Sequence, residues 1–140
     1  MRDNERRRNL VQELLEYPVF TDCTERDLDA FVAEAGQFSI PPAWSLLQQG
    51  IPADALYVLR DGTARVYDGW RPVATVGPGE IIGEMAFVGG GQRRATVSSV
   101  TRLTGLRVEY DQLADLVTRH PCIGEAIKNV YHSRARAAAS

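Results

Sequence analysis

A carboxylate and a pair of guanidiniums stand close together in the segment 83–97, Gly83-Glu84-Met85-Ala86-Phe87-Val88-Gly89-Gly90-Gly91-Gln92-Arg93-Arg94-Ala95-Thr96-Val97. Together they suit one anionic ligand that also carries hydroxyls. A carboxylate at Glu84 can accept from a sugar hydroxyl, and a single helical turn starting there aims free N–H groups at an anion. The planar fork of arginine grips two phosphate oxygens at once, which a compact ammonium does not. Gly83 lets the backbone approach closely, and small Ala95 keeps the opposite wall low. Plainer roles compete with these. Glu84 also suits a surface carboxylate at a helix start, and paired arginines also suit a solvated edge strand. The ligand role goes to one arginine and the solvated role to the other. Arg93 is favoured for the phosphate, with Arg94 taking its place if the glycine turn is one residue longer.

Little else in the chain offers chemistry. Both histidines, His120 and His132, fall outside the β-rich stretch, one beside Pro121 and one near the chain end, and are read as surface residues. The absence of any earlier histidine separates the chain from the metal-binding cupins, and no metal is expected. Cys23 and Cys122 lie far apart with no neighbouring Cys or His pair of metal-site spacing, so free thiols are expected. Without a nucleophile elbow, a P-loop or a paired-carboxylate constellation, an enzyme reading has no residues to carry it.

The elements that must position this segment follow from periodicity. Residues 4–16 carry Leu10, Val11, Leu14 and Leu15 on one helical stripe, stopped at Pro18, with Arg6, Arg7 and Arg8 as a solvated face. Thr24-Glu25-Arg26-Asp27 resembles a capping box and opens a second helix that carries Leu28, Phe31, Val32 and Ala35 and ends at Gly36. From residue 37 the period changes. Candidate strands at 38–40, 45–48, 55–60, 64–67, 72–76, 93–100 and 103–108 are punctuated by turn residues, Asp61-Gly62 reading as a hairpin turn. Asp111 then caps a helix carrying Leu113, Leu116 and Val117, and a last helix from Cys122 carries Ile123, Ala126, Ile127 and Val130. The tail from Ala135 is expected to fray.

The 140 residues, 44% of them hydrophobic and 24% charged, suit one soluble domain. We divide it into N-terminal helices (1–36), a β region (37–109) and C-terminal helices (110–140). A formal net charge of -2 argues against a general nucleic-acid surface. No apolar run approaches the roughly 20 residues that span a bilayer. The expectation is a cytoplasmic protein that binds neither DNA nor membrane.

Helix, helix, about eight short strands and two closing helices, with Gly-Glu-Met-Ala-Phe and Arg-Arg-Ala-Thr-Val inside the β region, resembles the cyclic nucleotide-binding domain family. The segments 50–62 and 77–84 are similar to that family's strand-turn unit and to the approach to its phosphate-binding cassette. The resemblance implies a mainly β fold, an eight-stranded β-roll of jelly-roll type flanked by helices. It implies Glu84 on the ribose 2′-hydroxyl and Arg93 on the cyclic phosphate of cAMP, or of cGMP. Gly83, Met85, Ala86 and Ala95 would line the same site through their backbones, with Arg94 and Thr96 beside them. Asn129, Tyr131 and Arg134 on the last helix are candidates to cap the purine. The expected function is a stand-alone regulatory module that signals to an effector protein through its C-terminal helices. The alternative is a roll that no longer binds nucleotide and serves as an interaction or homodimer unit through Ile123, Ile127 and Val130.

Overall fold

The computed structural model describes residues 2–139. Helix α1 (Arg2–Leu15) turns its Leu10, Val11 and Leu14 inward, as the stripe predicts, and a short 3-10 turn (Pro18–Phe20) leads to α2 (Glu25–Glu34). The capping box of α2 forms in both directions. Asp27 N–H donates to Thr24 Oγ1 at 3.2 Å and Thr24 N–H donates to Asp27 Oδ2 at 3.0 Å. Replacing Thr24 by Ala is expected to lower stability by about 1 kcal/mol, seen as an earlier urea midpoint with unchanged slope. An unmoved midpoint would show that the cap carries no stability. Of the three consecutive arginines, Arg7 fastens α1 to α2 through a forked pair with Asp29 at 2.7 and 2.8 Å.

Eight strands follow: β1 (Gly36–Ile40), β2 (Ser45–Leu47), β3 (Ala55–Asp61), β4 (Ala64–Asp68), β5 (Arg71–Val76), β6 (Ile81–Ile82), β7 (Thr96–Ser99) and β8 (Leu103–Glu109). They form two four-stranded antiparallel sheets, in the orders β1-β8-β3-β6 and β2-β7-β4-β5. This is the expected jelly-roll β-roll. Strand β3 shows why its sequence is an almost unbroken apolar run. Leu56 and Val58 face the helices while Ala55, Tyr57 and Leu59 face the opposing sheet, so both sides are buried. Arg60 at its end clamps Glu13 of α1 at 2.7 and 2.8 Å, docking the N-terminal helix on the roll.

The chain closes with α4 (Tyr110–Arg119) and α5 (Pro121–Ala139), broken where Pro121 starts a new helix. Among the described residues no helix is long and apolar enough to cross a membrane.

Several expectations are corrected. Asp61-Gly62 is no hairpin, because β3 and β4 lie in different sheets; the turn carries the chain from one sheet to the other, and an added Cβ on Gly62 would sit 2.1 Å from the Arg102 carbonyl oxygen. Asp68-Gly69 does make a hairpin, pairing β4 with β5. The candidate strand 93–100 is shorter than expected: β7 starts at Thr96, leaving Arg93–Ala95 outside it, and β7 and β8, neighbours in sequence, lie in different sheets. Gly36 opens β1, the helix having ended at Glu34. Asp111 lies in the first turn of α4, whose cap position is Glu109. The tail expected to fray is helical through Ala139; Ser140 lies outside the described residues.

The cysteines are not free. Cys23 and Cys122, 99 residues apart in sequence, form a disulfide with their Cα atoms 5.6 Å apart, because α2 packs against the start of α5. Nor is His120 a surface residue: its side chain is 15% exposed and its Nδ1 lies 2.9 Å from Asp27 Oδ1. The apolar seam suggested for a homodimer is used within the chain, Ile123 and Ile127 being buried in the helix-side core.

Candidate functional site

Strand β6 runs directly into Gly83, whose φ of 95° is left-handed and turns the chain into the short helix α3 (Glu84–Gly89). Glycine is required there twice over. A Cβ would lie 2.8 Å from an Arg93 guanidinium nitrogen and 2.9 Å from the Ala55 carbonyl oxygen. The segment after the glycine turn is held by backbone bonds to the loop after β2: Arg93 N–H donates to Ile51 O and Gly50 N–H to Arg93 O, both at 2.9 Å. Those two bonds fix where the Arg93 side chain starts, despite the flexible glycines before it.

Between this segment and the inner face of the β2-β7-β4-β5 sheet lies a cavity of about 640 Å³. That is the size of a small-molecule site. Its sheet wall is mainly apolar, with Leu47, Val66, Ala74 and Val97, and carries Asp68 and Arg71 where β4 turns into β5; the other charged groups come from outside the sheet: Glu84, Arg93, Arg94 and, on α5, Arg134.

Glu84 is 1% exposed. One carboxylate oxygen, Oε1, accepts from Arg134 Nη1; the other, Oε2, is buried with no partner in hydrogen-bond geometry, although the residue's own backbone N–H and the Arg93 charge also draw on the carboxylate. Burial raises the carboxyl above its ordinary range, and Arg134 opposes this only in part. Arg93 is also buried. Its Nη2 donates to Ala55 O at 2.6 Å and its Nη1 to Tyr110 Oη at 2.9 Å, with the Asp54 carboxylate 3.8 Å away. Burial pushes the Tyr110 phenol up, the Arg93 charge opposing, so it stays neutral and donates to Gly83 O while accepting from Arg93.

The structure therefore brings Gly83, Glu84, Met85, Ala86, Arg93, Arg94 and Ala95 to one cavity. Arg94 is exposed, with its guanidinium over Gly89, where a Cβ would meet Nη2 at 2.5 Å. Thr96 is not brought in. Strand alternation turns it to the outer face, where its Oγ1 accepts from Gln49 N–H at 3.0 Å. Of the three helix residues considered for a purine cap, only Arg134 reaches the cavity. Asn129 is exposed, and the Tyr131 ring packs edge-on against His132. Arg134 meets Glu84 and the Ile81 carbonyl rather than standing free as a lid. The supports of Arg93, namely the Ala55 carbonyl and Tyr110, escape sequence reading. One is a backbone atom and the other looks like an ordinary helix start.

Fold and site together define a β-roll with a ligand cavity between its sheet and an inserted one-turn helix, watched by a C-terminal helix. The chain belongs to the cyclic nucleotide-binding domain family, whose model matches residues 37–120. Among curated proteins it is 22% identical over 123 residues to a CRP-like cAMP-activated global transcriptional regulator of Mycobacterium tuberculosis, covering 84% of this chain and 55% of that one. It is 31% identical over 102 residues to a cyclic nucleotide-gated potassium channel of Mesorhizobium japonicum, covering 73% of this chain and 28% of the channel. This chain thus spans little more than half of the first relative and under a third of the channel. Among solved structures, the cAMP-bound regulatory domain of Toxoplasma gondii PKA superposes with a TM-score of 0.84 at 14% identity, over 95% of this chain and 51% of that one. The Thermus thermophilus catabolite activator protein does so at 0.77 and 25% identity, over 86% and 59%. The regulatory subunit of a cAMP-independent protein kinase A from Trypanosoma brucei does so at 0.79 and 19%, over 92% and 46%.

Proposed function

We propose that the cavity binds a cyclic nucleotide, cAMP first and cGMP second, and that α5 reports its occupancy to an effector protein. The observation that carries this is Glu84 Oε2. A buried carboxylate oxygen without a partner is costly to leave so, and it stands in the wall of the cavity that also holds Arg93. A ribose hydroxyl donating to it removes that cost. Arg93 neutralises the cyclic phosphate, and Arg94 at the rim adds to the field that draws the anion in. The other oxygen of the same carboxylate is bonded to Arg134, so a ligand on Glu84 acts directly on a contact made by α5. The cAMP-bound Toxoplasma neighbour and the cAMP-activated mycobacterial relative support this choice of ligand. The reading is of a binding module whose cavity holds its ligand through Glu84 and Arg93.

A rival reading, a roll that keeps the shape and binds no cyclic nucleotide, is favoured by Arg93. That side chain is already satisfied by Ala55 O and Tyr110, and one structural neighbour is a cAMP-independent regulatory subunit. Isothermal titration of the concentrated protein with cAMP and with cGMP decides between them. Saturable heat with either supports binding, and heat with neither overturns it in favour of the rival.

A further inference from the structure

A second group of side chains lies outside the nucleotide cavity, on the seam between α2 and the α4–α5 junction. Cys23 immediately precedes the cap of α2, Asp27 is in its first turn, His120 is the C-cap of α4 and Cys122 is near the start of α5. The two Sγ atoms and an Asp27 carboxylate oxygen all lie within 4.8 Å of one another. His120 Nδ1 stands 2.9 Å from Asp27 Oδ1, and the Asp27 and His120 side chains are only 19% and 15% exposed. The other Asp27 oxygen is held by Thr24 through its N–H at 3.0 Å and its hydroxyl at 2.9 Å, so the carboxylate is oriented before any ion arrives.

We propose that the reduced form of this seam is a site for one thiophilic divalent cation, zinc by its chemistry. Cys23 and Cys122 bind as thiolates and Asp27 as the third ligand, with water in the fourth position. His120 meets the same carboxylate at Oδ1, as outer partners of metal ligands do. Two sulfurs and a carboxylate favour zinc over the hard cations magnesium and calcium, which take oxygen alone. Cα atoms 5.6 Å apart suit the bridge between the cysteines. With sulfur–zinc distances of about 2.3 Å, side-chain rotation lets the same pair hold an ion between them.

Disulfide and metal exclude each other, because the bridge leaves no thiolate to ligate. A phosphine opens the bridge by taking the oxygen of one water as its oxide, while the two sulfurs take that water's protons. A dithiol does the same by passing two electrons and two protons to the sulfurs and becoming a disulfide itself. Metal binding then releases both thiol protons to solvent. Each closed state ties α2 to the start of α5, the helix whose Arg134 reaches Glu84, so the reduced, metal-free chain is the one in which this tie is absent.

The test uses the whole chain, reduced with a phosphine and titrated anaerobically with Co2+. Tetrahedral d–d bands with thiolate-to-cobalt charge transfer should saturate at one equivalent, vanish on adding Zn2+ and be absent from the oxidised chain. Cys122→Ser should weaken binding by more than the roughly 10- to 100-fold that loss of an outer partner costs, and His120→Ala by about that 10- to 100-fold while retaining the charge-transfer band. No bands in the reduced chain, or affinity unchanged by Cys122→Ser and by Asp27→Asn, overturns the site. Alkylation of the unaltered chain supplies a readout independent of variant folding. Zn2+ should protect both cysteines, and equal alkylation rates with and without it likewise overturn the proposal.

Discussion

Replacing Arg93 by Ala is expected to weaken cyclic nucleotide binding by roughly 30- to 5,000-fold, the effect of stripping a buried phosphate of its charge partner at about 2 to 5 kcal/mol. The size follows from position. Arg93 is 6% exposed, so water cannot take over its role, whereas Arg94 stands in solvent at the cavity rim. Arg94→Ala should therefore change affinity only several-fold and mostly at low salt, where exposed charges are least screened. Isothermal titration of both variants checks this, with circular dichroism to confirm that Arg93→Ala folds after losing its bonds to Ala55 and Tyr110. If Arg94→Ala carries the large loss and Arg93→Ala the small one, the phosphate ligand is Arg94 and Arg93 is a structural brace.

The second large effect lies in the Glu84–Arg134 pair. Arg134→Met is expected to cost about 3 kcal/mol at neutral pH. This is the low end for breaking a buried ion pair, because Arg134 is itself 32% exposed. Adding Glu84→Gln should restore much of that loss, since no buried charge then lacks a partner. Acidity should report the same pair. Burial raises the Glu84 carboxyl in the folded chain, so the folded state holds that proton more tightly than the unfolded one. The resulting stabilisation is fully present below the ordinary carboxylate range and is lost as pH rises through the raised folded value. Without Arg134 to oppose the shift, the variant should lose stability over a wider span of rising pH, and with Gln at position 84 this dependence should disappear. Urea unfolding across the acid range measures all three. Equal stability of Arg134→Met and the parent at neutral pH would mean that solvent already screens the pair.

Most of the fold was legible because its signals are local. The stripe of α1, the capping box of α2, the apolar run of β3 and the Pro121 break each arise from residues a few positions apart. The errors were errors of partnership. Asp61-Gly62 has hairpin chemistry, yet Gly62 turns the chain between sheets, and only the pairing of β3 with β8 and of β4 with β7 shows it. The resemblance sets Thr96 beside the site, but the two-residue strand period turns it outward. Ile123, Ile127 and Val130 suit a dimer seam and internal packing equally well in the sequence, because a periodicity cannot say which surface covers it; the fold chooses internal packing.

What segment 83–97 offers chemically is written in its residue types. Residue types settle what can be recognised: a carboxylate for hydroxyls, a guanidinium for phosphate and glycine where the backbone must turn left-handed. Which of these groups are satisfied depends on the folded arrangement. It set Arg93 against Ala55 and Tyr110, brought Arg134 across to one oxygen of Glu84 and left the other without a partner. It also joined Cys23 to Cys122 beside Asp27 and His120. The physical reason is range. Backbone conformation and periodicity are properties of neighbouring residues, whereas burial, pairing and the protonation they impose depend on groups that only folding brings within a few ångströms.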